Sequence, residues 1–475
     1  MTVALPSHAA LAADDIAAHL HPFTNLAAHP GVGPLVITKG DGIYVEDDQG
    51  KRYLEGMSGL WCSALGFSHA RVIEAGVQAM RTLPYYHTFN HRSNPAAIML
   101  AEKLVAMAPV PMSKVFFANS GSEANDTAVK LVWYYHNAIG KPDKKKIIAR
   151  TNAYHGVTVA AASLSGLQAN HRDFDLPIDR ILRAGCPHHY RYGAPGESEA
   201  VFASRLAQEL EALIQAEGPD TIGAFIAEPV MGAGGVIVPP ATYFAEIQAV
   251  LRRNDILLIA DEVICGFGRT GAMFGSTTYG MRPDILTCAK ALSSGYMPIS
   301  AVMVSEKVHA AIAANSGKIG TFGHGFTYSG HPVTTAVALE TLRVYEDDHI
   351  LDHVNAIAPR FQQALRAYAG RALVGEVRGV GLLGAVELAA DPAARRAFDP
   401  ALKAGPRLAQ LAQEHGLIVR AMGDTIAFCP PLIITEAQID ELFTRFERAM
   451  VALERELPAG SKGGNAGNDG DKVAA

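Results

Sequence analysis

The sequence predicts an α/β protein. A large domain on a mostly parallel, doubly wound sheet is joined to a smaller α+β domain. Three observations lead there. From about residue 113, short apolar runs alternate with amphipathic helical segments, the pattern of strands buried on both faces. Each run ends in polar or glycine-rich residues, and after about residue 340 a different rhythm takes over. Finally, 49% hydrophobic and 19% charged residues in a chain of 475 supply a core and exclude a disordered chain.

Residues 1–40 read as a loose arm with one short helix at about 9–21. Asp41–Glu46 and Lys51–Leu54 alternate around Asp47-Asp48-Gln49-Gly50, a hairpin signature. Helical periodicity begins near His69 through Val72, Ala75, Val77 and Met80. Strands follow at residues 115–118, 147–150, 222–227, 256–260 and 285–288. They run into Asn119-Ser120-Gly121-Ser122, Tyr154-His155-Gly156, Glu228-Pro229, Asp261-Glu262 and, two residues on, Lys290. Polar groups collected at strand carboxyl ends mark the ligand side of an open α/β sheet. Later come a helix at 350–369, strands at 374–377 and 383–386, a helix near 406–415, a strand at 417–419 and a helix at 436–457. The predicted division is 1–70 for an arm and hairpin completing the small domain, 71–345 for the large domain, 346–458 for the small domain, and 459–475 for a disordered tail.

The charge balance, 41 basic against 47 acidic residues, and the lack of a Lys/Arg stripe argue against nucleic-acid binding. The apolar runs are too short to cross a bilayer. Five scattered cysteines fit reduced thiols, and no Lys or Arg precedes Lys39, so the expected address is cytoplasmic.

Ser120-Gly121-Ser122-Glu123 opens a helix after a strand. Hydroxyls and free N–H groups at the positive end of the helix dipole make an anion site, although a serine cap alone would look the same. Asp261 is costly in its apolar setting without a cation, and Lys290 follows the next strand; a structural ion pair is the plainer alternative. Together with the aromatic Tyr154, these residues match the needs of pyridoxal 5′-phosphate: an amine for its aldehyde, an anion for its ring nitrogen, a stacking face and a phosphate cup.

From about Pro22 to Leu457 the chain resembles the class III aminotransferases of PLP-transferase fold type I, close to the ω-amine:pyruvate transaminases. The matching words are Asn119–Asn125, Tyr154-His155-Gly156, Glu228-Pro229, Asp261–Gly271, Pro283-Asp284-Ile285, Ala289-Lys290 and Gly325–Pro332. The resemblance implies that Lys290 bonds to the cofactor aldehyde and Asp261 pairs with the ring nitrogen. Tyr154 and Val263 sandwich the ring. Ser120, Gly121 and Ser122 form the phosphate end, with Thr327 supplied by a neighbouring subunit, so a homodimer or dimer of dimers is implied. His155, Glu228 and Phe326 complete the surroundings.

For substrate, the resemblance points to Phe23, Leu60, Trp61, Phe89 and Tyr154 as apolar walls, and to Arg420 as the carboxylate clamp. Ala233 stands where the ornithine and γ-aminobutyrate enzymes of the class carry a glutamate, which favours pyruvate over 2-oxoglutarate. The implied reaction moves an amino group from an ω-amino or primary amine donor to pyruvate by a ping-pong mechanism, giving L-alanine and an aldehyde or ketone. An aminomutase, decarboxylase or racemase on the same fold is the alternative, because these keep the lysine and aspartate. A relative without catalysis is disfavoured by the presence of Lys290. Gly379-Val380-Gly381-Leu382-Leu383-Gly384 spells a dinucleotide fingerprint but leads into a strand, so a sheet turn is expected. Cys186-Pro187-His188-His189 reads as a loop, and the acidic pairs 14–15, 47–48 and 347–348 as turns or helix ends. No metal site is expected.

Overall fold

The computed structural model describes residues 6–457; the expected tail at 459–475 lies outside them. The arm begins with the helix His8–Ala18, capped by the Ser7 side chain, which accepts from the Ala10 N–H. Strands β1 (Ile37–Asp41), β2 (Tyr44–Asp47) and β3 (Arg52–Glu55) form an antiparallel meander.

The central sheet consists of β4 (Lys114–Ala118), β5 (Lys146–Arg150), β6 (Ile181–Ala184), β7 (Ile222–Ala227), β8 (Leu257–Asp261), β9 (Ile285–Cys288) and β10 (Ser300–Val304). Their order is β4-β10-β9-β8-β7-β5-β6. All run parallel except β10, which is antiparallel to both β4 and β9.

Successive side chains of a strand face opposite ways, and here both directions are covered. Ile147, Ala149, Ala224, Ile226, Leu257 and Ile259 pack with Ala124, Ala128 and Val132 of the helix Gly121–Ala138. The intervening Ile148, Phe225, Leu258 and Ala260 join the main core with Phe202 and Leu206 of the helix Glu199–Glu217 and Phe244 and Ile247 of the helix Tyr243–Arg253. Two covered faces leave no room for alternation, so these strands read as unbroken apolar runs.

The later chain adds β11 (Val374–Val380), β12 (Leu383–Leu388), β13 (Leu417–Ile418), β14 (Arg420–Met422) and β15 (Thr425–Phe428). An antiparallel sheet has the order β11-β12-β15-β14, while β13 pairs in parallel with β3, so the N-terminal meander and the C-terminal part share a sheet. The glycine string 379–384 is the β11–β12 hairpin, with Val380 opposite Leu383; no helix follows to make a dinucleotide site. Helix Ile350–Arg366 and the final helix Glu436–Glu456 cover this part, the latter opened by a Thr435/Gln438 capping box. No helix among the described residues is long and apolar enough to cross a membrane.

Candidate active site

The carboxyl ends of the parallel strands converge on a cavity of about 410 Å³, measured to its open mouth. Its walls include Gly121, Ser122, Tyr154, Asp261, Val263 and Lys290.

Asp261 closes β8 and is 3% exposed. Its Oδ2 accepts from Asn125 Nδ2 at 2.8 Å and contacts His155 Nδ1 at 2.7 Å, and its Oδ1 accepts from the Val263 N–H at 3.0 Å. Asn125 is itself fixed: its Nδ2 also donates to the His155 carbonyl at 2.7 Å, and its Oδ1 accepts from Thr287 Oγ1 at 2.9 Å. A buried carboxylate so supplied with donors holds its orientation. His155 therefore stands behind Asp261, and its Nε2 is buried without a partner among the described residues.

Lys290 opens the short turn after β9 with a left-handed φ of 46°, a conformation that non-glycine residues hold chiefly where surrounding structure imposes it. Among the described residues its amine has no hydrogen-bond or ion-pair partner. The amine's charge is felt at Cys62, whose thiol is pushed up by burial and drawn partly back by Lys290 and Arg269.

The phosphate end is shaped by two glycines. A Cβ on Gly121 would sit 3.0 Å from Val263 Cγ1. A Cβ on Gly156, whose φ is +134°, would sit 2.5 Å from Ser122 Oγ. Ser122 Oγ also accepts from the Val157 N–H at 3.1 Å, which ties the helix start to the loop after β5. Ser120 is different from expectation. It is exposed, does not line the cavity, and its hydroxyl caps the helix by accepting from the Glu123 N–H at 3.1 Å. Helix geometry explains this: the cap oxygen turns back toward the first free N–H groups.

Glu228 is buried and its carboxyl is pushed up by burial. Its oxygens accept from the Tyr154 N–H at 3.1 Å and the Gly232 N–H at 3.0 Å, so it holds the cavity's aromatic wall against the loop that carries Ala233. Burial pushes the Tyr154 phenol up while the nearby Arg420 charge pulls against it. Arg420, on β14, is half-buried; burial pulls its guanidinium down, and no carboxylate of the described residues faces it.

Of the expected substrate residues Tyr154 lines the cavity; Arg420 and Ala233 do not, and the others also fall elsewhere in the single chain. Trp61 is 2% exposed and belongs to a buried cluster with Met57, Val230 and Ile264, of which Ile264 lines the cavity. Phe23, Leu60 and Phe89 are exposed and do not line the cavity, because they lie on the arm and on loops whose outer faces nothing in this chain covers. Phe326 and Thr327 are likewise off the cavity, Thr327 being exposed with its carbonyl accepting from Tyr85. Asn125, by contrast, emerges as a site residue. Its spacing of four from Gly121 on one helix is the signal that places both on the same face.

Residues 27–450 match the family model "Aminotransferase class-III". The chain is a class III aminotransferase. Gamma aminobutyrate transaminase 1, mitochondrial, of Solanum lycopersicum is 51% identical over 439 residues, covering 92% of this chain and 85% of that protein. Vanillin aminotransferase of Capsicum annuum is 50% identical, covering 92% and 95%. The crystal structure of an omega transaminase from Pseudomonas jessenii in complex with PMP superimposes with a TM-score of 0.94 at 55% identity, covering 95% of this chain and 100% of that one.

Members of this class use pyridoxal 5′-phosphate, and the residues present suit it. The cavity joins an amine without a partner among the described residues, a seated carboxylate and a helix N-terminus cleared of side chains by Gly121 and Gly156. When bound, the cofactor supplies an aldehyde that takes up an amine and a ring that withdraws electrons from the adjoining carbon.

Proposed function

We propose that this aminotransferase moves the amino group of an ω-amino or simple primary amine to a keto acid, pyruvate in preference, in a ping-pong cycle. One half of the cycle releases an aldehyde or ketone and the other releases L-alanine. The observation that carries this reading is Arg420: a half-buried guanidinium beside Tyr154, with no carboxylate of the described residues to neutralise it. A guanidinium fork suits a planar carboxylate, and an acceptor's carboxylate supplies the missing partner. An amine donor without a carboxylate needs no such contact.

In this reading Lys290 Nζ holds the cofactor between substrates and moves a proton at the substrate carbon once displaced. Asp261 Oδ1 and Oδ2 keep negative charge at the ring-nitrogen end, with Asn125 and His155 fixing their direction. Tyr154 and Val263 orient the ring. Ser122 and the N–H groups at the start of its helix bind the phosphate. Thr327, exposed on its own chain, belongs to the phosphate end of a partner's site in a homodimer. Relatives named for γ-aminobutyrate, vanillin and omega-transaminase activity support the donor class, and a structure described as a transaminase with L-ala, 59% identical to this chain, supports the acceptor.

The test is a panel of amine donors against pyruvate and 2-oxoglutarate, run on the holoenzyme and on Arg420→Leu. Arg420→Leu should raise KM for pyruvate about tenfold to a hundredfold, the loss of a charge-assisted hydrogen bond, while sparing the half-reaction with a carboxylate-free amine. A strong preference for 2-oxoglutarate, or no change of pyruvate KM in the variant, would overturn the reading.

A further inference from the structure

The N-terminal arm gathers histidines around one carboxylate, well apart in function from the cavity. Asp15 sits in the last turn of the helix His8–Ala18. Its Oδ1 is 3.1 Å from His19 Nδ1, and its Oδ2 is 2.7 Å from His21 Nε2 and 3.0 Å from His29 Nε2. The ligand-capable atoms of Asp15, His19 and His21 all lie within 4.8 Å of one another. The rings of His19 and His21 are 4.2 Å apart between centroids, and those of His21 and His29 are 4.3 Å apart.

Local sequence builds this arrangement. Asp15 and His19 are four apart, so they share the helix's terminal face. The chain then leaves the helix, and a turn from Asn25 brings His29 back against the same carboxylate. The helix His8–Ala18 buries no residue of its own. A helix of 11 residues is marginal without tertiary support, so this cluster, with the His8–Asp48 contact of 2.7 Å, is what organises the arm.

We propose that Asp15, His19, His21 and His29 bind one divalent transition-metal ion of the zinc type. Three imidazoles and a carboxylate are a donor set suited to zinc, whereas magnesium and calcium take oxygen ligands. With metal–ligand bonds of about 2.0–2.2 Å, the corners of a tetrahedron lie roughly 3.3–3.6 Å apart. The observed separations of 2.7 Å, 3.0 Å and 3.1 Å from Asp15 need to widen only by tenths of an ångström, while His29, which lies outside the group of ligand atoms within 4.8 Å of one another, must also swing toward the other imidazoles. His29 is the enclosed ligand, its side chain 11% exposed, and His19 the open one at 60%, which leaves a route for entry. The ion joins the helix end to the segment after it, and so fixes the backbone that carries Phe23.

The other grouping of this kind, His188 with Glu376 and Glu387, does not support the same assignment. There Arg378 Nη1 lies 2.5 Å from both glutamates and already supplies their positive charge.

The experiment uses the full-length holoenzyme, freed of metal by dialysis against a chelator. It is titrated with zinc alone against a chromogenic competitor, and separately with cobalt(II) alone. One ion per chain and the intense visible band of tetrahedral cobalt are expected. The double variant His21→Ala/His29→Ala should lose affinity by at least about a hundredfold as two ligands go, with its cofactor absorbance unchanged as the sign of an intact fold. His188→Ala should bind zinc as the parent does. Absence of stoichiometric binding would mean imidazole–carboxylate hydrogen bonds only and would overturn the proposal, as would binding that survives in the double variant or disappears in His188→Ala.

Discussion

Replacing Asn125 tests whether the seat of Asp261 is electrostatic or merely a matter of shape. Its Nδ2 donates to Asp261 Oδ2 at 2.8 Å and to the His155 carbonyl at 2.7 Å, both away from solvent. Asn125→Leu keeps a similar volume and removes the donors. A hydrogen bond to an ionised group contributes about 1.5–3 kcal/mol, and each 1.4 kcal/mol is about a factor of ten in a dissociation constant. The Kd for pyridoxal phosphate should therefore rise about tenfold to a hundredfold. Asn125→Asp is closer in shape to the native residue but sets a second carboxyl against Asp261. Two unit charges about 4 Å apart repel by about 4 kcal/mol at an effective dielectric constant of about 20, so this variant should bind more weakly than the leucine variant at about pH 8 and recover as the introduced acid takes up a proton. The assay is absorbance titration of the apoenzyme with cofactor at two pH values, with denaturant unfolding alongside to separate affinity from stability. A packing account ranks aspartate as the milder change. That ranking, or an unchanged Kd for Asn125→Leu, would refute the electrostatic argument.

Three further outcomes are expected. Lys290→Ala should lose turnover, and borohydride should no longer fix the cofactor to the chain, read by intact mass; a cofactor still reducible onto the protein would contradict the assignment. Gly156→Ala forces a Cβ to within 2.8 Å of Ser122 Cα at a φ that L-residues avoid; strain of about 1–3 kcal/mol should weaken cofactor binding about tenfold or more, and native affinity would count against the cradle. Burial pushes the Glu55 carboxyl up to about 7, so the folded protein favours its neutral form. The stability this contributes is fully present below the unfolded value of about 4.3 and is lost as pH rises through the folded one. Glu55→Gln should accordingly gain about 3 kcal/mol on the parent between about pH 5 and pH 8, measured by denaturant midpoints; parallel curves would contradict this.

Which elements could be read from sequence follows from burial. β5, β7, β8 and β9 are covered on both faces and announce themselves as apolar runs. β6 is an edge strand whose last residues are half-buried, and its short mixed pattern conceals it. β10 is wholly buried and, after Ser300, apolar. It was nevertheless not among the predicted strands; its reversed direction goes with the segment between Cys288 and Ser300, which is too short for a parallel crossover of a dozen or more residues. The predicted strand at 417–419 coincides with β13 and stops short of the β14–β15 hairpin, which turns on the two residues Gly423-Asp424. The strand-end residues Asp261, Tyr154 and Lys290 were recoverable because a parallel sheet presents its carboxyl ends to one site. Where the side chains of Trp61 and Phe89 face was not legible, since it depends on packing that no periodicity encodes. In the arm, the Asp15–His19 spacing was visible, but the return of His29 required three dimensions.

The strand order has a bearing on how the protein comes into being. β4, which leads into the helix Gly121–Ala138, hydrogen-bonds to the central sheet only through β10. The earliest-made strand of the sheet thus waits for the last one. A nascent chain released before Ser300 has emerged carries every strand that leads to Tyr154, Asp261 or Lys290, but its β4 has no sheet neighbour, so the entry to the helix Gly121–Ala138 relies on that helix's packing and on the Asn125 and Ser122 hydrogen bonds. The last brace of β4 is consequently added late, when the nearly finished polypeptide sets β10 between β4 and β9.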